Sequence, residues 1–320
     1  MKTAHRKNGA APPLVTIGVP VYNGEPHLLL ALESLLEQDY PNLEIIIRDN
    51  ASTDNTQSIC LAAAARDPRI RYLRNARDIG PLANFCRLVN DANGDYFMWA
   101  ADDDLRNRCF VRELAACLQD HPQVVLATPQ TVAIDGTGKR LPWPVQPLAC
   151  VGSHLENVRR FFNPQNPGWA CDGWFYGLFR RDWLSRHTTE QLAYPPWGGD
   201  LLWLFSILIG EAVTGSRRAT LCKRVQPSGF QPQTWFQRSM FRLEMLLGFT
   251  HLCARSKAPW RDKVRLQQLA WSWYCRSFFH RDRKLQTWMR GARLMLLDSL
   301  LSSCFLLRRL VRSRPRVPVG

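Results

Sequence analysis

Through its first hundred residues the chain alternates short apolar runs with helix-length amphipathic segments, and this alternation restricts the fold more than any other feature. The runs lie at residues 15–21, 43–48, 70–73 and 96–100 and are dominated by Val, Ile, Leu and aromatic residues. Between the first two, residues 27–38 carry Leu28, Leu32, Leu35 and Leu36 at helical spacing ahead of Pro41, and helical patterns return at 54–66 and 82–93. Strands separated by whole helices pair in parallel through right-handed crossovers, whereas antiparallel neighbours need only a tight turn. The expectation is an α/β fold with a mostly parallel, Rossmann-like sheet flanked by helices. Ligands of such open sheets collect at the carboxyl ends of the strands. Here those ends carry Tyr22-Asn23, Asp49-Asn50 and Asp102-Asp103-Asp104, so three polar strand ends are expected on one rim.

Beyond residue 142 the pattern is less regular. Residues 142–167, rich in Pro, Asn and Gly, are expected to wrap the sheet edge, and residues 173–181 to form a strand. Residues 201–213 are strongly apolar but too few to span a bilayer, which suits a buried helix. The chain then divides into a flexible tail at 1–12, an α/β domain at 13–228 and a basic helical region at 229–320. Within the last, residues 294–307 are apolar, interrupted by Asp298 and followed by an arginine-rich end. This stretch reads either as a helix lying in an anionic membrane interface or as a packed helix with a solvated basic tail.

A net charge of +15 calls for an anionic partner, whether nucleic acid, an acidic membrane surface or a phosphorylated substrate. The basic residues concentrate in the C-terminal half and match no nucleic-acid motif, so nucleic acid is not expected. The ten cysteines sit singly, with no CxxC pair and no export signal ahead of them. They read as free thiols of a cytoplasmic protein rather than as disulfides or a zinc site.

The acidic triplet carries the strongest chemical signal. Three adjacent carboxylates repel one another, and a divalent cation would relieve the repulsion. Mg²⁺ or Mn²⁺ held by one or two carboxylates commonly completes its shell with substrate phosphates. The competing reading makes Asp104 the N-cap of a helix starting near Leu105.

Three segments occur in a specific order: Val19-Pro20-Val21-Tyr22-Asn23-Gly24-Glu25, then Ile47-Arg48-Asp49-Asn50-Ala51-Ser52-Thr53-Asp54, then Trp99-Ala100-Ala101-Asp102-Asp103-Asp104-Leu105. Together they resemble glycosyltransferase family 2, over roughly residues 13–125 and more weakly to about residue 225. The resemblance implies a GT-A type fold and an inverting enzyme. The donor would be a UDP- or dTDP-sugar and the acceptor a saccharide or lipid-linked molecule, in cell-surface polysaccharide or glycan synthesis, with the enzyme at the inner membrane face when the acceptor is lipid-linked. It further implies that Pro20, Tyr22, Asn23 and Glu25 hold the nucleotide and that Asp49 accepts the imide N–H of the base. Asn75, Gly80 and Asn84 would cover the nucleotide, Asp102 would contact the ribose, and Asp103, then Asp104, would hold the metal. The sequence departs from the family's Asp-x-Asp-Asp pattern at Ala101.

Gly198-Gly199-Asp200-Leu201-Leu202 resembles the family segment in which a carboxylate ahead of an apolar helix serves as the catalytic base. Asp200 is therefore read as base, as N-cap of that helix, or as both, with Asp172 as runner-up. A family histidine that helps hold metal or diphosphate is matched here by Gln226, so Lys223 or Arg224 would supply charge to the diphosphate instead. With Ala101, this also raises the reading of a nucleotide-sugar-binding protein without activity. Of the tryptophans in the second half, Trp169, Trp174, Trp183, Trp197 and Trp203 read mainly as core, with one or two lining an acceptor site.

Overall fold

The computed structural model describes residues 11–142, 147, 154–163, 171–187, 199–225 and 235–278. Residues 1–10 of the tail, Trp169, Trp197, Gly198, Gln226 and the stretch 294–307 lie outside the described residues. The first half runs β1 (Val15–Val21), α1 (Leu28–Leu36), β2 (Leu43–Asp49), α2 (Thr56–Arg66), β3 (Ile70–Arg74), α3 (Pro81–Asp91) and β4 (Tyr96–Trp99). There follow β5 (Leu105–Arg106), α4 (Phe110–Asp120), β6 (Val124–Ile134), α5 (His154–Phe161), a 3-10 turn (Cys171–Tyr176), β7 (Leu178–Arg180), α6 (Arg181–His187), α7 (Gly199–Gly210), β8 (Ala212–Arg224), α8 (Trp235–Arg255) and α9 (Trp260–Phe278).

The strands form one sheet in the order β3-β2-β1-β4-β7-β6-β8-β5. β1 pairs in parallel with β2 and β4, and β2 with β3, so α1, α2 and α3 are the crossovers that the alternating pattern demands. Past β4 the sheet is mixed. β7 runs antiparallel to β4 and β6, β5 runs antiparallel to β8, and β6 and β8 are parallel. The sheet is thus mostly parallel, as expected, and its short antiparallel pairings all involve strands beyond β4.

Three local expectations are corrected. Residues 173–181 are not one strand: the 3-10 turn occupies the first part and only Leu178–Arg180 pairs. Here the backbone presses directly on β6, since a Cβ on Gly173 would meet Thr131 Oγ1 at 2.2 Å and one on Gly177 would meet the Ala127 carbonyl at 2.4 Å. Asp104 caps no helix, because Leu105–Arg106 pairs with β8 and α4 begins only at Phe110. The apolar run at 201–213 divides, its last two residues, Ala212 and Val213, starting β8 rather than prolonging α7. Leu202, Trp203, Leu204, Phe205, Ile207, Leu208 and Ile209 are all buried, so α7 is a core helix. Among the described residues no helix is long and apolar enough to cross a membrane.

Two hydrophobic cores pack on the two sheet faces, and the period of the strands sorts residues between them. Ile45, Ile47, Tyr96 and Met98 face the core that contains α1 and α4, whereas Ile46, Phe97 and Trp99 face the other. In the second core Trp99 stacks on Phe175 at 4.8 Å and meets Phe97, Phe179 and Trp203 edge-on. Met245, Phe249 and Cys253 of α8, with Leu266 and Ala270 of α9, belong to that same core. Trp174, Trp183 and Trp203 are buried in it as well.

Arg180 ties β7 to the first core. Its guanidinium donates to the carbonyls of Val124 at 2.7 Å and His121 at 3.3 Å, and to that of Leu118, while lying over the Tyr96 ring. Arg180→Met is expected to lower stability by about 2–3 kcal/mol, because carbonyls at the end of α4 lose their donor. A urea midpoint unchanged from wild type would contradict this.

Candidate active site

The ends of β1 and β2 are laced to each other rather than left as free loops. The Asn23 N–H donates to Ser52 Oγ at 2.9 Å, the Gly24 N–H to Thr56 Oγ1 at 2.9 Å, and the Glu25 N–H to Asp54 Oδ2 at 3.1 Å. Asn23 Oδ1 in turn accepts the Thr53 N–H, and Glu25 Oε1 accepts Asn55 Nδ2. Asn23 sits at φ 53° and Ala51 at φ 64°. Asn tolerates that region, while Ala51 is held there at a cost of about 1–2 kcal/mol, which the surrounding bonds must offset. Of the four residues expected to hold a nucleotide here, Asn23 and Glu25 therefore brace the loop. Pro20 lies within β1, and Tyr22 projects into solvent with 51% of its surface exposed.

Asp49, at the end of β2, is completely buried. Its Oδ1 accepts the Ser52 N–H at 2.8 Å, and its Oδ2 accepts the Tyr72 hydroxyl at 2.7 Å and an Arg74 N–H. Burial alone would raise this carboxyl, but the bonds from Ser52 and Tyr72 and the Arg74 charge hold it below its ordinary value. Arg74 and Tyr72 keep part of their surface exposed and cover the buried carboxylate.

Asn75 and Asn84 are likewise buried, and their side chains bond each other at 2.9 Å. Asn75 also donates to Asn50 Oδ1 and receives Arg48, and Asn84 donates to the Arg48 carbonyl. Gly80, at φ 82° ahead of α3, gives its N–H to Asp78 Oδ1 at 2.8 Å. These three stiffen the rim beside the expected nucleotide. Asn50, Tyr72, Arg74 and Asp78 belong to the same network, yet no sequence motif singled them out for this task.

The acidic triplet follows β4. A Cβ on Gly24 would stand 2.6 Å from Asp102 Oδ2 and 2.7 Å from Val21 Cγ2, so Asp102 lies directly against the β1 loop. Its carboxyl is pushed up to about 7, by burial first and then by the charges of Asp103, Asp104 and Asp54. Asp103 is raised by burial and by Asp104, with Lys223 and His27 drawing it back. Asp104 lies deeper. Its Oδ1 accepts the Arg224 N–H at 2.8 Å, and its buried Oδ2 has no hydrogen-bond partner among the described residues. Arg224 does not turn its charge toward a substrate, because its guanidinium bonds the carbonyls of Asp103 at 3.1 Å and of Asp135 and Gly136 at 2.9 Å each.

Among the described residues no three His, Cys, Asp or Glu side chains converge as a metal cage. The crowded, incompletely compensated carboxylates nevertheless fit a cation that takes one or two ligands from protein and the rest from phosphates. Asp103 would be the first residue to hold it, with Asp104 Oδ2 behind and Asp102 beside it against the β1 loop.

Asp200 occupies the first turn of α7. The residue is exposed as a whole, yet desolvation around its carboxyl raises it, against the Leu201 N–H and the Lys223 charge that pull it down. Cap and base are thus compatible roles for this side chain. Asp172 falls within the 3-10 turn.

Substituting Gly24 tests the contact between loop and triplet. Gly24→Ala is expected to cost about 1–3 kcal/mol, the usual penalty for overpacking, because Val21 is buried and cannot yield. Nucleotide affinity should fall with it. An unaltered chemical-denaturation midpoint would show that Asp102 moves aside freely.

A family model described as glycosyl transferase family 2 matches residues 16–188. Among curated relatives, the Streptococcus pneumoniae glycosyltransferase GlyG is 32% identical over 107 residues, covering 33% of this chain and 36% of that protein. The putative colanic acid biosynthesis glycosyl transferase WcaA of Escherichia coli is 37% identical over 92 residues, covering 29% and 33%. The chain thus spans about a third of the length of these relatives. Among solved structures, residues 1–349 of S. aureus TarS in complex with UDP-GlcNAc superpose with a TM-score of 0.63 at 16% identity, covering 85% of this chain and 74% of that one. A mannosyltransferase from Pyrobaculum calidifontis, bound to GDP-Man and Mn²⁺, gives 0.50 at 18% identity, covering 91% and 84%. At such identities these two superpositions speak to the fold alone, which is of the GT-A type.

Proposed function

The chain belongs to glycosyltransferase family 2, and from that premise we propose that it moves a sugar from a nucleotide-diphosphate donor, UDP- or dTDP-linked, to a hydroxyl of a saccharide or lipid-linked acceptor. The observation that carries this reading is the meeting of three strand-end loops beside Asp102 and Asp103, with Lys223 acting electrostatically on both Asp103 and Asp200. One wall thus offers a place for diphosphate and the other a carboxylate for the incoming hydroxyl. The β1 and β2 loops orient the nucleotide. Asp200 takes the acceptor proton as the acceptor oxygen bonds the anomeric carbon from the face opposite the diphosphate, so the configuration inverts. A bound Mn²⁺ or Mg²⁺ would neutralise charge on the departing diphosphate.

WcaA is named for colanic acid biosynthesis, and the TarS structure holds UDP-GlcNAc. The WcaA name favours a role in polysaccharide synthesis for this chain too. The arginine-rich end after residue 307 suits the anionic inner membrane face, where lipid-linked acceptors reside. One observation favours binding without turnover: Asp104 is diverted to the Arg224 backbone, so fewer carboxylates face the diphosphate. Incubation with a panel of UDP-, dTDP- and GDP-sugars, Mn²⁺ and candidate acceptors separates the readings. Release of nucleoside diphosphate, with a product whose anomeric NMR coupling is inverted relative to the donor, is expected. Binding of a nucleotide sugar without turnover on any acceptor or on water would leave only the binding reading.

A further inference from the structure

Arg224 and Lys223 are neighbours on β8, and their side chains leave the strand on opposite faces. Arg224 passes behind the acidic triplet, where its guanidinium donates to the backbone carbonyls of Asp103, Asp135 and Gly136. Lys223 leaves on the other side, with its Nζ 5.0 Å from the centre of the Tyr176 ring. The β8 register sets this position, because Cys222 stands opposite Leu105, the residue that follows Asp104, and Lys223 stands opposite Ala133 of β6. Tyr176 ends the 3-10 turn and is itself held edge-on by Phe175, which stacks on Trp99. The ring face therefore forms a fixed seat for the ammonium, tied to the core beneath the triplet.

Building on the nucleotide-sugar reading above, we infer that Lys223, seated on Tyr176, is the side chain that binds the donor's diphosphate and receives its charge as the sugar departs. In the transfer, the bond from the anomeric carbon to the diphosphate oxygen breaks and its electron pair stays on that oxygen. The new bond forms to the acceptor oxygen, whose proton goes to Asp200. Lys223 keeps its own proton and donates a charge-assisted hydrogen bond to the departing phosphate, as a lysine does at other phosphate sites.

The test is calorimetric titration of the full chain with UDP, dTDP and GDP and with the corresponding monophosphates, in Mn²⁺. Lys223→Met, which keeps the length and the ring contact, is expected to weaken the preferred diphosphate by about tenfold or more, as for loss of a hydrogen bond to a charged group. Affinity for the matching monophosphate should stay near wild type, and Lys223→Arg should restore most of the diphosphate affinity. Equal losses for mono- and diphosphate, or no loss for either, would overturn the proposal. If Lys223→Met does not fold, as judged by circular dichroism, Lys223→Gln carries the same comparison. Failure of the unmodified chain to bind any nucleoside diphosphate would overturn the nucleotide-sugar reading itself, and this proposal with it.

Discussion

Replacing Asp103 with Ala is expected to abolish the Mn²⁺-dependent part of nucleoside-diphosphate binding while leaving the fold intact. Asp103 stands in a triplet whose carboxyls are raised by burial and mutual repulsion, a condition that a cation relieves. Asp104 cannot simply take over, because its Oδ1 is bonded to the Arg224 N–H from a position behind its neighbours. The backbone at Asp103 stays anchored in the mutant, because Arg224 grips its carbonyl rather than its carboxylate. Losing a direct ligand should cost at least about a hundredfold in metal-dependent affinity, given that even outer partners cost ten- to a hundredfold. Calorimetric titration of UDP with Mn²⁺ and with EDTA measures this difference. A mutant with wild-type Mn²⁺ dependence would place the cation elsewhere.

Asp200→Asn is expected to lower turnover by about 10²–10⁴, the usual contribution of a general base, with donor affinity nearly unchanged. The amide keeps the size of the carboxylate and can still cap α7, so the loss would not come from unfolding. Its raised carboxyl moves toward the working range of a base, while the nearby Lys223 charge helps keep it ionised. Steady-state kinetics with a fixed acceptor and a varied donor separates kcat from KM. Near-full turnover in the mutant would reduce Asp200 to a helix cap and direct attention to Asp172.

How far these sites could be read without coordinates depended on how local their physics is. β1, β2 and β4 were legible because each is a buried apolar run bounded by turn residues, β3 as a short strand-like stretch between two helical patterns, and the polar rim followed from parallel order. β6 was not: in Val124–Ile134 the polar stretch Thr128, Pro129, Gln130 and Thr131 interrupts the apolar run, with Pro129 at a shift in register with β8. β8 hides in the same way, since Gly215, Ser216, Arg217 and Arg218 read as a loop although the strand continues through them. The motif residues of the rim could be listed from sequence, but not their tasks. Nothing in the order Asn75, Gly80, Asn84 reveals that both asparagines are consumed in a buried amide network with Asn50 and Arg48. Likewise the choice between Lys223 and Arg224 awaited the strand register, which sends one toward the triplet's back and the other over Tyr176.

The account rests on one claim, that the rim at Asp102 and Asp103 binds a nucleoside diphosphate together with a divalent cation. Thermal unfolding of the unmodified chain, with a panel of nucleoside diphosphates and nucleotide sugars in Mn²⁺ or in EDTA, tests it most directly. A ligand at a hundred times its dissociation constant adds about 2.7 kcal/mol to stability, a rise of about 4 °C in midpoint for a chain of this size. The expected result is such a rise for at least one diphosphate with Mn²⁺, largely lost in EDTA and absent for the free nucleoside. A midpoint unmoved by every diphosphate in Mn²⁺, or an equal rise with EDTA, would contradict the claim.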